Sequence, residues 1–484
     1  MFAWAKIRNS FHSFGLSDAN VSIKFAKRHS FLPKGLAVFK FFPLFAAYFI
    51  DLSSLMEIEK LYSLFKQHPH VTTDSRNCAR GAIFFAIKGE HFNGNLYARE
   101  AIEKGCAYAI VDEAEFADEK EGILLTDNVL ATLQKLANHH RRQFDIPVIG
   151  ITGTNGKTTT KELIATVLKS CYNTLFTEGN LNNHIGVPLT LLQLRDEHKM
   201  AVIEMGANHP GEIAGLCAIA EPTHGLITNV GKAHLEGFGS FENVIKTKSE
   251  LYDFLKSHAG TVFLDNDNPF LSDKAQRLNT CKYGTANGLF VTGRVTENNP
   301  FLTMEWDFSE KTYKISTQLI GSYNAANVLA AVCVGNFFEV SPKTIAEAIA
   351  AYTPVNNRSQ FKQTAKNRLI IDAYNANPSS MRAAIENFAS MEGMGKIAIL
   401  GDMLELGNES KEEHRVIIEL LKESNISEAL LCGSEFSALP NNPYKTFQNV
   451  DEIVCFLSEL PIEGKLILIK GSRGIRLEKT VDVL

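Results

Sequence analysis

The segment at residues 148–172, VIGITGTNGKTTTKELIATVLKSCY, constrains the fold more than any other stretch of this sequence. It begins as a short apolar run, turns through glycines and polar residues, and continues with apolar residues at helical spacing. A strand, a glycine-rich turn and a helix N-terminus form a cradle for an anion, because glycines let backbone N–H groups approach phosphate oxygens. The sequence therefore predicts a nucleotide-binding loop formed by Gly153, Thr154, Asn155, Gly156, Lys157, Thr158 and Thr159.

Two side chains of this loop carry the expected chemistry. The Lys157 amine should reach the outer phosphates, and the Thr158 hydroxyl should bind Mg²⁺. The spacing departs from the strict phosphate-loop pattern, because Gly150 lies one position too early and Ile151 occupies the expected glycine position. The alternative interpretation is a tight strand-to-helix turn that binds no ligand, for which two glycines would suffice. The Gly-Lys-Thr-Thr continuation favours nucleotide binding over such a turn.

Length and composition bound the remaining possibilities. The chain has 484 residues, which is room for about three domains, and it is 45% apolar and 21% charged, as is usual for a globular protein. A net charge of −5 gives no general attraction to nucleic acid. None of the eight cysteines forms a C-x-x-C pair, so we expect reduced thiols in a cytoplasmic protein rather than a zinc site or a disulfide framework.

The first 55 residues differ from the rest in composition, being rich in phenylalanine and basic residues. Their apolar run, 35–50, is short for a membrane span, and Lys40 and Pro43 interrupt it. The run also lies too late for a signal peptide. We expect translation from Met56 or a dispensable extension rather than a membrane anchor.

The order of strands and helices predicts an α/β protein with three domains. Short mixed elements precede the phosphate loop, buried strands and then alternating antiparallel strands follow it, and four strands alternate with helices near the C-terminus. No glycine fingerprint of the dinucleotide type follows those last strands, which argues against NAD. The expected divisions are an extension at 1–55, a small α/β domain at 56–125, a central parallel-sheet domain of the phosphate-loop ATPase type at 126–356, and a doubly wound, Rossmann-like domain at 357–484.

Polar residues follow the buried strands where a ligand should gather. Glu204 ends one strand and His234 follows another, so both should lie at the carboxyl edge of a parallel sheet. Glu204 could be a Mg²⁺ ligand or a surface acid, and His234 could be catalytic or structural. Asn324 and Asn327 lie one turn apart at the start of a helix, where they could face one ligand, or Asn324 could cap the helix.

At this point the motifs identify a family. The chain resembles the Mur ligases, ATP-dependent amide-forming enzymes of peptidoglycan synthesis, from about Met56 to its end. The general motifs are GTNGKTT, EMG, NVGKAHLEGFGS and KSE, with the Asn324/Asn327 pair and Arg358. YNANPSSM at 374–381 and GDMLELG at 401–407 resemble the member that adds D-alanyl-D-alanine to UDP-N-acetylmuramoyl-tripeptide. The resemblance thus implies a cytoplasmic enzyme of cell wall biogenesis, with links to cell shape, cell cycle and cell division.

The resemblance also implies a reaction and its cofactors. The tripeptide carboxylate attacks the γ-phosphate of ATP to form an acyl phosphate, and the amine of D-alanyl-D-alanine then displaces phosphate. Two Mg²⁺ ions are implied, one held by Thr158 and Glu204 and one by His234 together with Lys248, if CO₂ has converted this lysine to a carbamate. Carbamylation needs a neutral amine, and Lys248 is preferred to Lys246 because Ser249-Glu250 follows it as the motif requires.

Further residues receive roles by the same resemblance. Lys157, His234 and Lys248 are the implied catalytic residues. Asn324, Asn327, Arg358 and Asp372 would contact ATP, and Ser75, Arg76, Asn180, Asn182 and Asn183 would contact the UDP substrate. The Asp74-Ser75-Arg76 turn could instead be a capped loop with a surface ion pair. No nucleic acid or stable membrane insertion is implied, and nothing demands more than a monomer.

Three positions depart from the family pattern, and rival functions remain open. Residues 93–95, NGN, stand where Asp-Gly-His is usual, Tyr323 replaces a histidine, and Asp265 replaces an asparagine. The first could affect the UDP substrate and the other two lie near the adenine. Rivals are the third-residue-adding Mur ligase and folylpolyglutamate synthetase, against which both long motifs argue. A regulatory ATPase would need neither His234 nor the Lys248 motif. The alternative of a membrane-anchored partner protein is supported only by residues 1–55.

Overall fold

The computed structural model describes residues 57–355, 357–392 and 395–484. The expectations for residues 1–55 and for a start at Met56 lie outside these residues. The described chain is an α/β structure with three domains, as the sequence predicts. None of its described helices is long and apolar enough to cross a membrane.

The N-terminal domain contains a small parallel sheet. Within the described residues four strands pair in the order β1-β2-β5-β6, and β3 and β4 form a separate short hairpin. Its helices are α1 (Ile58–Gln67) and α2 (Ala98–Glu103), and its strands are β1 (Val71–Thr72), β2 (Ile83–Phe85), β3 (Lys88–Gly89), β4 (Phe92–Asn93), β5 (Tyr108–Val111) and β6 (Ile123–Leu125).

The central domain is built on a mixed sheet in the order β15-β14-β13-β12-β11-β10-β7-β9-β8, parallel except at β14 and β15. Its strands are β7 (Val148–Thr152), β8 (Thr174–Phe176), β9 (Met200–Glu204), β10 (His224–Ile227), β11 (Thr261–Asp265), β12 (Asn279–Gly284), β13 (Val291–Asn298), β14 (Phe301–Phe308) and β15 (Lys311–Ile320). Its helices are α3 (Val129–Arg141), α4 (Lys157–Lys169), α5 (Gly186–Leu191), α6 (Glu212–Ala220), α7 (Leu235–Phe238), α8 (Phe241–Ser257), α9 (Pro269–Lys274), α10 (Ala325–Phe337) and α11 (Pro342–Ala351).

The C-terminal domain has the expected parallel sheet with two additional strands. The strand order is β16-β17-β21-β18-β19-β20, and β16 is antiparallel. The prediction of four strands was therefore incomplete, because β16 and β20 are short edge strands with little apolar pattern. The elements are β16 (Gln360–Gln363), β17 (Arg368–Asp372), α12 (Pro378–Ser390), β18 (Lys396–Gly401), α13 (Ser410–Glu423), β19 (Glu428–Cys432), α14 (Ser434–Ser437), β20 (Lys445–Phe447), α15 (Val450–Glu459) and β21 (Leu466–Lys470).

The register of the central sheet places the candidate residues at one edge. β7 lies between β9 and β10, and all of its residues are buried because helices cover both faces of the sheet. Ile151 pairs with Glu204, and Thr152 pairs with Ile227. The phosphate loop, Glu204 and the segment after β10 therefore leave the sheet side by side, as expected for a parallel sheet.

Candidate active site

The phosphate loop has the backbone conformation of an anion cradle. Gly153 and Gly156 have φ values of +141° and +76°, which other residues rarely adopt, and Gly156 directly precedes α4. A Cβ at Gly156 would lie 2.6 Å from the Asn327 Oδ1 atom, so side-chain space also requires glycine there. Gly150, the displaced glycine, lies inside β7, where a Cβ would meet Leu251. Its role is therefore packing, and the loop itself begins at Gly153.

Lys157 is drawn back onto this loop. Its Nζ atom donates hydrogen bonds to the carbonyl oxygens of Gly153 and Thr154, at 2.7 and 2.9 Å. Burial lowers the pKa of Lys157 to about 8, partly opposed by Glu204, while the charge of Arg358 lowers it further. The ammonium therefore stands in a region of converging positive charge, which favours an anionic ligand.

Glu204 and Thr158 form a buried pair that fits a magnesium ion. The Thr158 hydroxyl donates to Glu204 Oε1 at 3.2 Å, and the Asn182 amide donates to the same oxygen at 2.8 Å. Glu204 is 1% exposed, and its Oε2 atom has no hydrogen-bond partner. A hydroxyl beside a buried carboxylate oxygen with free acceptor capacity is a donor set suited to Mg²⁺. Glu204 is thus not the surface acid considered as its alternative.

Lys161, one helical turn after Lys157, is the nearest cation to that free oxygen. Its Nζ atom lies 3.9 Å from Glu204 Oε2, and the side chain is fully buried. Burial lowers the pKa of Lys161, and Glu204 opposes this effect. No role was predicted for Lys161 from the sequence, because its position in the second turn of α4 gives no local signal that it faces the end of β9.

His234 meets the C-terminal domain. Its Nδ1 atom donates a hydrogen bond to Glu405 Oε2, and both side chains line the central cavity. The hydrogen bond from His234 lowers the pKa of Glu405. Because Nδ1 is engaged, Nε2 is the ring nitrogen that can face a ligand. Glu405 belongs to the GDMLELG motif, but no individual role was predicted for this residue from the sequence.

Lys248 is buried, whereas Lys246 is exposed. The Lys248 Nζ atom has one long hydrogen bond, 3.4 Å to the carbonyl oxygen of Ala207. Burial lowers its pKa to about 7, and the charge of Lys157 acts in the same direction. A substantial fraction of the Lys248 amine is therefore neutral near pH 7, the form that can react with CO₂.

Asn324 and Asn327 contact each other beside the loop. The Asn327 amide donates to Asn324 Oδ1 at 2.8 Å, while Thr160 donates to Asn327 Oδ1 at 3.0 Å. The Asn324 amide donates to the carbonyl oxygen of Ile320, and its side chain makes no capping hydrogen bond to α10. Asn324 therefore occupies the N-cap position of α10, but its side chain does not satisfy the helix backbone as the capping alternative requires.

Arg358 and Asp372 bring C-terminal charges to the same cavity. The Arg358 guanidinium stacks 3.7 Å from the centre of the Tyr374 ring, and its buried Nε atom has no hydrogen-bond partner. Asp372 forms an ion pair with the buried Lys470 at 2.5 Å and accepts a hydrogen bond from the Ser359 backbone. Arg358 therefore retains donor capacity toward a ligand, whereas Asp372 is already engaged by the protein.

The central and C-terminal domains touch at the tip of the phosphate loop. The Asn155 amide donates to the Ser379 hydroxyl at 2.9 Å, and the Asn377 amide donates to Asn155 Oδ1 at 2.8 Å. Asn377 also caps α12, where Pro378 occupies the first turn and Ser380 completes a capping box. The YNANPSSM motif thus starts a helix and holds the phosphate loop with the same residues.

Most predicted residues border one cavity of about 1070 Å³. Of the candidates, those that line it are Thr154, Asn155, Gly156, Lys157, Thr158, Thr159, Asn180, Asn182, Asn183, Glu204, His234, Asn324, Asn327, Arg358 and Asp372. Asn183 also caps the turn into α5, since its Oδ1 atom accepts from the backbone of Ile185 and Gly186. Gly153 and Lys248 are buried and are not among the lining residues.

Ser75 and Arg76 are not among the lining residues. Arg76 forms an exposed ion pair with Asp74 at 2.8 Å, and the hydrogen bond from Arg76 lowers the pKa of Asp74 to about 2. The backbone oxygen of Ser75 accepts from Lys104. This geometry is that of the surface ion pair considered as the alternative, so a substrate role for these two residues stays a prediction.

The three departures from the family pattern have local explanations. Asn95 is fully buried and exchanges two hydrogen bonds with Asp112, at 2.9 and 3.0 Å. The Tyr323 hydroxyl is bonded to Ser359 Oγ at 2.9 Å, which links the central domain to the C-terminal domain. Burial raises the pKa of Asp265 to about 6, and this carboxylate accepts from the Asp267 backbone.

Comparison with known proteins decides the family. A model described as the Mur ligase middle domain matches residues 151–335, and the models for the Mur ligase glutamate ligase domain and the Mur ligase family catalytic domain match residues 357–473 and 69–141. A UDP-N-acetylmuramoyl-tripeptide--D-alanyl-D-alanine ligase of Escherichia coli is 35% identical over 429 residues, which cover 86% of this chain and 93% of that ligase. The chain belongs to the Mur ligase family.

Solved Mur ligase structures agree with this assignment. The chain is similar to MurF from Acinetobacter baumannii, with a TM-score of 0.78 and 31% identity over 85% of this chain and 92% of that one. It is also similar to MurF from Thermotoga maritima in complex with ADP, with a TM-score of 0.77 and 28% identity over 86% and 96% of the two chains. The three-domain fold described above is therefore the Mur ligase fold.

Proposed function

We propose that this Mur ligase joins D-alanyl-D-alanine to UDP-N-acetylmuramoyl-tripeptide with cleavage of ATP to ADP and phosphate. The E. coli relative carries this specificity in its name, and the YNANPSSM and GDMLELG motifs point to it in this chain. The observation that carries the proposal is the meeting of both motifs with the phosphate loop in one cavity.

The cavity suits a reaction that brings two anions together. The tripeptide carboxylate must approach the γ-phosphate of ATP, so the site has to neutralise negative charge and align the two groups. Lys157 and Arg358 supply cationic groups to the lining, and Arg358 keeps an unpaired buried donor. In the second half of the reaction the dipeptide amine replaces phosphate at the acyl carbon. The partly enclosed site would limit hydrolysis of the acyl phosphate by water.

Mg²⁺ is the metal that the donor set fits. Thr158 and Glu204 would hold one ion, and His234 with a carbamylated Lys248 would hold another. When bound, these ions neutralise phosphate charge and orient phosphate oxygens. The protein prepares this arrangement with Asn182, which fixes one oxygen of Glu204 and leaves the other free.

Carbamylation of Lys248 is part of this proposal. A buried amine with a pKa of about 7 is available to CO₂, and the nearby charge of Lys157 would favour the anionic carbamate over the ammonium. Lys246, two residues earlier, is exposed and lacks this environment. Lys248 is therefore the lysine of the two that meets the chemical requirement.

The two substrates are assigned to different residues of the site. Asn324, Asn327, Arg358 and Asp372 would face the nucleotide, and Asn180, Asn182 and Asn183 would face the UDP substrate. Ser75 and Arg76, which do not line the cavity, would contact the UDP substrate outside it. This proposal includes a cytoplasmic, monomeric enzyme that contributes to cell division through peptidoglycan synthesis. Division of the chain near residues 125 and 356 stays a prediction.

Phosphate release from ATP tests the function. With UDP-N-acetylmuramoyl-tripeptide, D-alanyl-D-alanine and Mg²⁺ present, phosphate should form, and omission of any one should abolish it. Release that is indifferent to the dipeptide would favour an ATPase without bond formation. Two replacements of the tripeptide substrate distinguish the rival ligases. A folate substrate that accepts glutamate tests for a folylpolyglutamate synthetase, and the dipeptide precursor with a free third amino acid tests for the third-residue-adding Mur ligase. Lys157→Ala should remove nearly all turnover, because it deletes a cation at the phosphate loop.

A further inference from the structure

Glu405 is the C-terminal residue that contacts a candidate metal ligand of the central domain. Its Oε2 atom meets His234 Nδ1 directly, and its backbone oxygen accepts from Glu236 at 3.3 Å. The side chain is 54% exposed and that of His234 is 24% exposed, and both border the cavity. The contact therefore joins the two domains at the reaction site itself.

Both partners hold unusual backbone conformations. His234 has φ +51° and Glu405 has φ +64°, in the left-handed region that residues with a side chain rarely occupy. Residues kept in such conformations are concentrated at functional sites, where the surrounding structure holds them. The surrounding structure therefore holds both residues in these backbone conformations where they contact each other across the domain interface.

The loop that carries Glu405 is fixed from the C-terminal domain. The Met403 backbone donates to the Nε2 atom of the fully buried His414 at 3.0 Å, and the Leu404 backbone donates to Ser472 Oγ at 3.0 Å. Glu405 follows directly and extends toward the central domain. Its carboxylate is thus presented by a supported loop, and its position depends on where the C-terminal domain lies.

We propose that Glu405 is a positioning residue that orients the imidazole of His234 and completes the metal site only when the C-terminal domain is docked. This inference rests on the proposed function. The Glu405 carboxylate accepts a hydrogen bond from the Nδ1–H group of His234, which fixes the tautomer that leaves the Nε2 lone pair for the metal. Carboxylates that bond the second nitrogen of a ligating histidine orient the ring and raise its basicity, and their removal typically weakens metal binding or activity by about 10–100-fold.

A neighbouring contact at the same interface supplies the matched control. Lys232 forms an exposed ion pair with Glu409 at 3.3 Å and a less exposed one with Glu413 at 2.8 Å, and Glu409 does not line the cavity. Glu409→Gln therefore removes the same charge from the same domain boundary without touching His234. If Glu405 merely strengthened the domain contact, Glu405→Gln and Glu409→Gln would have similar effects.

The test measures Mn²⁺ binding by electron paramagnetic resonance in the presence of a non-hydrolysable ATP analogue. Mn²⁺ replaces Mg²⁺ at oxygen and imidazole sites and gives a direct signal without turnover. The full chain is compared with Glu405→Ala, Glu405→Gln, Glu409→Gln, His234→Ala and the double variant His234→Ala/Glu405→Ala. Thermal midpoints are recorded for each, and the Mg²⁺ concentration that gives half-maximal ligase activity is a second readout.

Glu405→Ala should raise the dissociation constant of the Mn²⁺ ion at the His234 site by about tenfold or more, and Glu405→Gln by less, because the amide oxygen can still accept a hydrogen bond. Glu409→Gln should change it less than twofold. In the His234→Ala background, Glu405→Ala should have no further effect. Equal effects of the Glu405 and Glu409 variants, or an undiminished Glu405 effect without His234, would overturn the proposal. A wild-type chain without ligase activity would instead contradict the proposed function.

Discussion

Replacement of Lys248 by methionine should stabilise the protein at pH 7, because the wild-type chain buries an amine there with little compensation. The side chain is 2% exposed, and its Nζ atom makes a single long hydrogen bond to Ala207. Burial and the charge of Lys157 lower its pKa from 10.5 to about 7. Methionine has a similar length and no charge, so it can fill the space without this penalty.

The size of the effect follows from the pKa difference. Because the folded pKa lies below that of the unfolded chain, the unfolded state binds more protons between about pH 7 and pH 10.5, and wild-type stability rises with pH in that window. At 1.36 kcal/mol per pKa unit, the buried lysine costs about 4 kcal/mol at pH 7 and about 1 kcal/mol at pH 10. The advantage of Lys248→Met should therefore shrink by about 3 kcal/mol between these pH values.

Urea unfolding at pH 7, 8.5 and 10 in buffers free of CO₂ measures this difference. Lys246→Met is the control, since Lys246 lies on the same helix but is exposed, and it should show a small difference that does not depend on pH. A Lys248→Met advantage that stays constant from pH 7 to pH 10 would refute the reasoning. Bicarbonate should then stabilise the wild type but not Lys248→Met if the neutral amine forms a carbamate.

Three further changes test other parts of the site. Lys161→Met leaves the buried Glu204 carboxylate without its nearest cation and should lower the free energy of unfolding, measured by urea titration, by about 3 kcal/mol. Mg²⁺ should reduce this loss. An equal loss in the control variant Lys169→Met would contradict the reasoning. Ser379→Ala removes a hydrogen bond to Asn155 worth about 1 kcal/mol and should raise the KM for ATP by about fivefold, whereas Ser390→Ala on the same helix should not. Addition of an ATP analogue with the UDP substrate should give a more compact X-ray scattering profile, and identical profiles would argue against domain closure.

The sequence predicted the parts of the site that are encoded locally. The phosphate loop could be recognised because its glycines, Lys157 and Thr158 are consecutive and their chemistry needs that order. Glu204 and His234 could be placed because each follows a buried strand, and parallel strands bring their carboxyl ends to one edge. The choice of Lys248 over Lys246 came from the family motif, and burial now gives it a physical reason.

The contacts that depend on domain docking could not be predicted in the same way. Glu405 and His234 are far apart in sequence, and neither segment contains a pattern that names the other. The bond between Asn155 and Asn377 depends equally on how the C-terminal domain is placed. Lys161 was overlooked because its helix position indicates only an ordinary lysine. Strands β16 and β20 were not predicted, because edge strands of three or four residues carry too few apolar positions to show a period.

The two sides of the domain boundary differ in a way that favours opening at the active site. On one side Phe301 packs edge-on against Phe361, and Ile320 joins the buried core of the C-terminal domain. On the other side the contacts are polar, as between Asn155 and Asn377 or Lys232 and Glu409. Apolar burial persists without ligands, whereas partly exposed polar pairs contribute only about 0–1 kcal/mol each. Opening would therefore break the polar contacts around the cavity first, while the aromatic side acts as the hinge. Ligands that bridge the phosphate loop and Arg358 need only a small free energy to favour the docked arrangement.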